Sequence, residues 1–198
     1  MQVEQTPPQR RVVPALVVAL VVLVGGAGAA YLVRRHALAE ERSLNTGTYP
    51  SGTSFSADIG QIVTYGDIIM ANEGTKPISI QSAELLTDGS GADVEDVRLL
   101  DPDDVPKGSL VGTAHGYDPP AAAKHLPAVM EPTSPDRKKA YQLLYGIRVK
   151  TAAPGWFHSV RIRYKVGDNE YQQTAVYRLL LCTPKGIICP LPPRPTFN

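Results

Sequence analysis

Residues 156–182 read WFHSVRIRYKVGDNEYQQTAVYRLLLC, and they carry the clearest structural pattern in the chain. On both sides of a turn signal at 167–170, apolar side chains occupy every second position, which is typical of strands with one buried and one solvated face. We therefore predict an antiparallel pair of strands. The predicted inward side chains are Val160, Ile162, Tyr164 and Val166 before the turn and Ala175, Tyr177, Leu179 and Leu181 after it, whereas Arg161, Arg163 and Lys165 face solvent.

The same pattern extends upstream of this pair. Short turn signals at 72–75, 88–91 and 153–155 separate segments that are rich in β-branched and aromatic residues. Because connections as short as those at 72–75 and 88–91 commonly join neighbouring strands, we predict two hairpins and an antiparallel meander there. The predicted strands are residues 59–71, 76–87, 93–100 and 140–150, with Leu143, Tyr145, Ile147 and Val149 inward in the last of them.

Short strands, frequent turns and the lack of a convincing soluble helix predict an all-β domain over residues 53–189. The architecture expected is an immunoglobulin-like antiparallel β-sandwich. Residues 154–182 also resemble the closing strands of small, uncharacterised, single-pass membrane-anchored proteins of high-GC bacteria. That resemblance rests on a strand–turn–strand pattern. It implies the sandwich architecture and an extracytoplasmic location, and it carries no known function.

An uncharged apolar run precedes the predicted sandwich. Residues 12–33 read VVPALVVALVVLVGGAGAAYLV and are bounded by arginine pairs. As a helix they would extend ~33 Å at ~1.5 Å per residue, enough to cross the hydrocarbon core of a bilayer. We predict one transmembrane α-helix at 12–33 in contact with membrane lipid, a cytoplasmic tail at 1–11 and a stalk at 34–52. The alternative is a signal peptide cleaved near Ala27-Gly28-Ala29.

The orientation of this segment follows from opposing indications. Counted literally, the arginines lean slightly towards a cytoplasmic domain. The short N-terminal tail resembles that of a signal anchor, and a cysteine pair fits an oxidising compartment. We predict a single-pass protein of the cell membrane with its C-terminal domain outside the cytoplasm.

Cys182 and Cys189 are the only two cysteines, in the segment CTPKGIIC. We predict a disulfide between them; two free thiols and a metal site are the alternatives. A metal site needs further ligands, and the histidines are widely scattered, at His36, His115, His125 and His158. We expect no metal and no cofactor.

Residues 101–136 are rich in proline and show little periodicity. We predict a long loop there, with one short strand near 109–114 and a helical turn near 121–124. Loops of this length are often functional, so this segment is the candidate partner-contacting surface. An acidic cluster around its start fits a solvated edge, with calcium as the alternative; its members are Asp93, Glu95, Asp96, Asp101, Asp103 and Asp104. The proline-rich tail at 190–198 is expected to be extended.

The formal net charge is +1, and no basic patch suggests binding to nucleic acid. No Gly-x-Ser-x-Gly nucleophile motif and no phosphate-binding loop is present, so we predict that the chain is not an enzyme.

The function expected is a membrane-anchored extracytoplasmic module that binds another membrane or envelope protein, such as an accessory subunit of an envelope complex. One alternative is a carrier or sensor of a small ligand, with 101–136 covering an apolar pocket. Another is an envelope hydrolase, which needs Ser, His and Asp side chains within hydrogen-bond reach of one another.

Overall fold

The computed structural model describes residues 43–47, 52–89, 91–105, 111–134 and 139–190. This part of the chain contains eleven strands and one short 3-10 turn at Pro102–Asp104. The strands are β1 Leu44–Asn45, β2 Gly52–Ser56, β3 Ile62–Asn72, β4 Ile78–Thr87, β5 Ala92–Leu100, β6 Ala114–His115, β7 Lys124–His125, β8 Ala128–Met130, β9 Tyr141–Val149, β10 Gly155–Val166 and β11 Asn169–Cys182.

These strands form two sheets that pack as a β-sandwich. Sheet 1 has the order β1-β3-β9-β5-β7, with β6 also paired to β3, and sheet 2 has the order β2-β11-β10-β4-β8. One apolar core lies between them, built from inward side chains of both sheets. All eight inward positions predicted in β10 and β11 are buried, and so are the four predicted in β9. The all-β prediction is therefore confirmed.

The two hairpins predicted at 72–75 and 88–91 are wrong. The turns after β3, β4 and β9 each carry the chain from one sheet to the other, so they join strands that are not hydrogen-bonded to each other. A turn signal shows that the chain reverses, but it does not say which strand becomes the neighbour. Only the β10–β11 pair is a hairpin as predicted, with Lys165 opposite Glu170 beside the turn.

Two further features differ from the prediction. β1 lies within the segment assigned to a stalk, because Leu44 is buried and pairs with Asn72 of β3. β2 pairs with β11 in parallel, so the sandwich is not purely antiparallel.

The part of the chain that the structure describes contains no apolar helix of membrane-spanning length. The predicted tail 1–11, transmembrane segment 12–33 and most of the stalk lie outside the described residues, as does the C-terminal tail beyond Pro190.

The central strand of sheet 1 is covered on both faces. Every residue of β9 except Arg148 is buried, although a strand at the surface of a two-layer sandwich has one solvated face. The face of β9 that points away from the core is covered by part of the segment 101–136. Leu144 of β9 and Leu100 of β5 pack there with Ala123, and the half-buried Val105 and Val111 lie against them.

Candidate functional site

The loop between Cys182 and Cys189 projects from the end of β11. The two cysteines form a disulfide, the pairing predicted from the sequence, with their Cα atoms 5.9 Å apart. Two further bonds fix the loop to the end of β2 and the residues after it. The backbone N–H of Gly186 donates to Ser56 Oγ at 2.9 Å, and the N–H of Lys185 donates to Asp58 Oδ1 at 3.0 Å. The loop is thus held at both ends and in the middle.

Apolar side chains are exposed on this fixed loop. Ile188 is 94% exposed and Ile187 is 42% exposed, while Ile59, which follows Asp58, is 57% exposed. We call these three residues the isoleucine tip. Beneath it, the disulfide packs with Leu180 and the half-buried Trp156. An exposed apolar side chain on a braced loop is what a partner's pocket can receive at little entropic cost.

The isoleucine tip is not among the residues predicted above from the sequence. One indication was available: the loop closed by Cys182 and Cys189 is too short to fold back over Ile187 and Ile188. Neither side chain can therefore be covered by the loop itself.

The proline-rich segment 101–136, the surface predicted to contact a partner, lies against the sandwich over its described residues 101–105 and 111–134 instead of forming a free loop. It contributes β6 and β7 to sheet 1 and β8 to sheet 2. The short strand expected at 109–114 is found at 114–115, and the helical turn expected at 121–124 is a simple turn followed by β7. Strands of two or three residues form where a partner strand offers hydrogen bonds, and no alternating pattern in the local sequence marks them. The sequence of this proline-rich segment therefore did not predict their positions.

Gln142 fastens this segment to sheet 1. The Gln142 Nε2 amide donates to the carbonyl of Val111 at 2.7 Å and also to the carbonyl of Gly66. In return, the N–H of Val111 donates to Gln142 Oε1 at 3.1 Å. The apolar side chains under the segment pack against sheet 1, in the place where the small-ligand alternative required an open pocket.

The acidic cluster is held in ion pairs. Glu95 pairs with Arg148, Asp93 lies 3.6 Å from Lys150, and Asp101 and Asp103 both bind Lys139 at 2.7 and 3.0 Å. Within the described ranges, no group of three or more His, Cys, Asp or Glu side chains could hold a metal ion. These carboxylates therefore already have basic partners, and the absence of a metal stays a prediction.

Asp96 joins the proline-rich segment to β5. Its carboxylate accepts hydrogen bonds from Arg98 Nε at 2.8 Å and from the Tyr117 hydroxyl at 2.9 Å, and His125 Nδ1 lies 3.3 Å away. Burial on its own raises the pKa of Asp96, but the hydrogen bonds from Arg98 and Tyr117 outweigh it and lower the pKa below its usual value.

This lowered pKa predicts a loss of stability in acid. Because the folded-state pKa lies below the unfolded value near 3.8, the stabilising contribution is complete above that value and is lost as the pH falls through the folded-state pKa. We expect Asp96→Asn to lower the free energy of unfolding at pH 7 and to make it less sensitive to pH below about 5. Urea unfolding at a series of pH values measures this. An Asp96→Asn profile parallel to that of the wild type would contradict the assignment.

Ser, His and Asp side chains do meet at one place. His158 Nδ1 lies 3.0 Å from Ser159 Oγ, and His158 Nε2 lies 3.4 Å from Asp88 Oδ1. Ser159 is only 5% exposed and sits at the bulge where the register of β10 shifts. A nucleophile must be reached by its substrate, so we interpret this contact as structural. That the chain is not an enzyme stays a prediction.

The described residues define a two-sheet all-β sandwich with a disulfide-braced loop at one end. No family model and no curated protein matches the sequence. Among solved structures, the secreted serine protease VesC from Vibrio cholerae is similar at 8% identity with a TM-score of 0.33, over 72% of this chain and 24% of that one. The Vibrio cholerae VesB protease is similar at 7% identity with a TM-score of 0.32, over 75% of this chain and 35% of that one. The chain spans about a third or less of each protease, and scores this low define neither a fold nor a function for it.

Proposed function

We propose that this chain is a single-pass membrane protein whose immunoglobulin-like sandwich lies outside the cytoplasm and binds another protein, as an accessory subunit of an envelope complex. The anchor is the apolar segment 12–33. The Cys182–Cys189 disulfide supports the location, because disulfides persist in oxidising compartments.

The strand order supports the immunoglobulin-like type. With β1 and β2 as the two halves of strand A, β3, β4, β5, β9, β10 and β11 take the places of strands B to G in chain order. Sheet 1 then has the order A-B-E-D and sheet 2 contains the order G-F-C, the arrangement of constant-type domains, with β2 as an additional half of strand A beside strand G. The short strands β6 to β8 are an addition between strands D and E.

The observation that carries the binding function is the isoleucine tip. Ile188 is almost fully exposed on a loop fixed by a disulfide and two hydrogen bonds. The partner we infer is a protein with an apolar pocket that receives the Ile188 side chain. Burial of one such side chain contributes roughly 1.5–3 kcal/mol.

Purification of the tagged full-length protein from its native membrane in mild detergent tests this function. We expect one stoichiometric protein partner to copurify with the wild type and with Val129→Asp, and to be lost from Ile188→Asp. Val129 is the matched control because it is an apolar residue, 48% exposed, on the edge strand β8. Retention of the partner by Ile188→Asp, or a wild-type protein that purifies alone, would contradict the proposal.

A further inference from the structure

Three polar side chains lie in register across the centre of sheet 2. Arg163 of β10 is directly opposite Ser82 of β4 on one side and Gln172 of β11 on the other. Residues directly opposite each other on neighbouring strands share a face of the sheet. All three residues are exposed, so this central row lies on the outer face of sheet 2.

Each of the two neighbouring rows contains an ion pair, whereas the central row contains none. Arg161 Nη1 binds Glu84 at 3.2 Å, and Lys165 Nζ binds Glu170 at 2.8 Å. Within the described part of the chain, the side chains of Ser82, Arg163 and Gln172 make neither a hydrogen bond nor an ion pair. The outer face therefore presents one guanidinium group that no carboxylate binds directly, although the Glu170 carboxylate acts on it through space, with a hydroxyl and an amide beside it.

A concavity of about 460 Å³ lies over this row. Its lining includes Gln81, Ser82, Arg163, Glu170 and Gln172. The register of β4 and β10 shifts between Arg163 and Tyr164, which leaves Gln81 as an extra residue in β4. Such bulges bend a strand and redirect side chains, and they are common beside binding sites. The Nε2 of Gln81 is held by Ser79 Oγ at 2.8 Å, so this amide is fixed at the wall of the concavity.

The formal charge of these three rows favours a monoanion. The three basic residues Arg161, Arg163 and Lys165 stand against the two acidic residues Glu84 and Glu170, a difference of +1. A carboxylate carries one negative charge, and it can accept two parallel hydrogen bonds from a guanidinium group. The hydroxyl and amide groups around Arg163 can donate to and accept from the hydroxyl groups of a ligand.

We propose that this concavity binds an acidic sugar, with its carboxylate on Arg163 and its hydroxyl groups on Ser82, Gln172 and Gln81. The volume lies in the range of small-molecule sites. The site is on the outer face of sheet 2 and does not depend on the isoleucine tip, so either proposal can fail without the other.

Titration of the full-length protein in detergent with D-glucuronate, followed by saturation-transfer NMR, tests this site. We expect saturable binding of glucuronate, weaker binding of acetate and none of D-glucose, which shares hydroxyl groups but lacks the carboxylate. Arg163→Gln should weaken glucuronate binding about tenfold or more, because a charge-assisted pair is lost. The matched control is Arg161→Gln, whose guanidinium already pairs with Glu84, and we expect it to weaken binding less than about twofold.

Three results would overturn the proposal. They are the absence of glucuronate binding, equal affinities for the wild type and Arg163→Gln, and binding of inorganic phosphate as tight as that of glucuronate. The last would define a general anion site and not a sugar site. Because Arg163 is an exposed side chain, Arg163→Gln should retain the thermal unfolding temperature of the wild type, which excludes misfolding as the cause of lost binding.

Discussion

Replacement of Gly66 with alanine is expected to lower the free energy of unfolding by about 3 kcal/mol. A Cβ atom on this residue would lie 2.0 Å from the carbonyl oxygen of Val111 and 3.0 Å from both Gln142 Nε2 and Leu144 Cδ2. The first neighbour is backbone, so the proline-rich segment would have to leave sheet 1. Its hydrogen bonds with Gln142 would then be lost, and Leu144 would be uncovered. Urea unfolding followed by the fluorescence of Trp156, the single tryptophan, measures the change.

Gly112→Ala is the matched control for this substitution. Gly112 belongs to the same segment, but no atom lies within 4 Å of the position its Cβ would take. We expect its free energy of unfolding to stay within about 0.5 kcal/mol of the wild-type value or to rise slightly, because alanine restricts the unfolded chain. Equal stabilities of Gly66→Ala and Gly112→Ala would show that the segment does not press on sheet 1 as described.

Removal of the disulfide is expected to have the second largest effect. For Cys182→Ala combined with Cys189→Ala, we expect the free energy of unfolding to fall by about 2.5 kcal/mol, from the loop-closure entropy of a short ring. Trp156 packs against Leu180 and the two cysteines, so its emission should shift to longer wavelength as that contact loosens. The isoleucine tip should also lose its partner, because the loop would no longer be held.

Reduction of the wild type provides the control for the cysteine variant. Dithiothreitol should lower the unfolding temperature of the wild type towards that of the double variant and leave the double variant unchanged. If both thiols can be alkylated after reduction while the unfolding temperature stays constant, the disulfide does not brace the fold.

The period-two pattern was enough to predict the inward faces of β9, β10 and β11. Those faces depend on alternation along one strand, which is a local property of the sequence. The disulfide could also be predicted, because Cys182 and Cys189 are the only cysteines and are close in sequence. The proline and the glycine between them allow the chain to turn. These features required no knowledge of which strands lie side by side.

Strand pairing and the cover over sheet 1 were not accessible in the same way. A short turn after β3 or β4 is compatible with either a hairpin or a crossing between sheets, and the choice depends on contacts distant in sequence. Gln142 lies on the face of β9 opposite the predicted inward residues, yet it is 2% exposed because Val111 lies on it. The apolar Leu144 and the small Gly146 on that same face were an indication of a covering segment.

The central claim is that Ile188 docks into an apolar pocket of a protein partner. Photo-crosslinking from position 188 in the native membrane tests it most directly. A photoreactive amino acid replaces Ile188, and the same substitution at Val129 serves as the control. If the isoleucine tip docks into a partner, we expect one discrete protein–protein adduct from position 188 and none from position 129. Adducts of equal yield from both positions, or a product at position 188 that contains only lipid, would contradict the account.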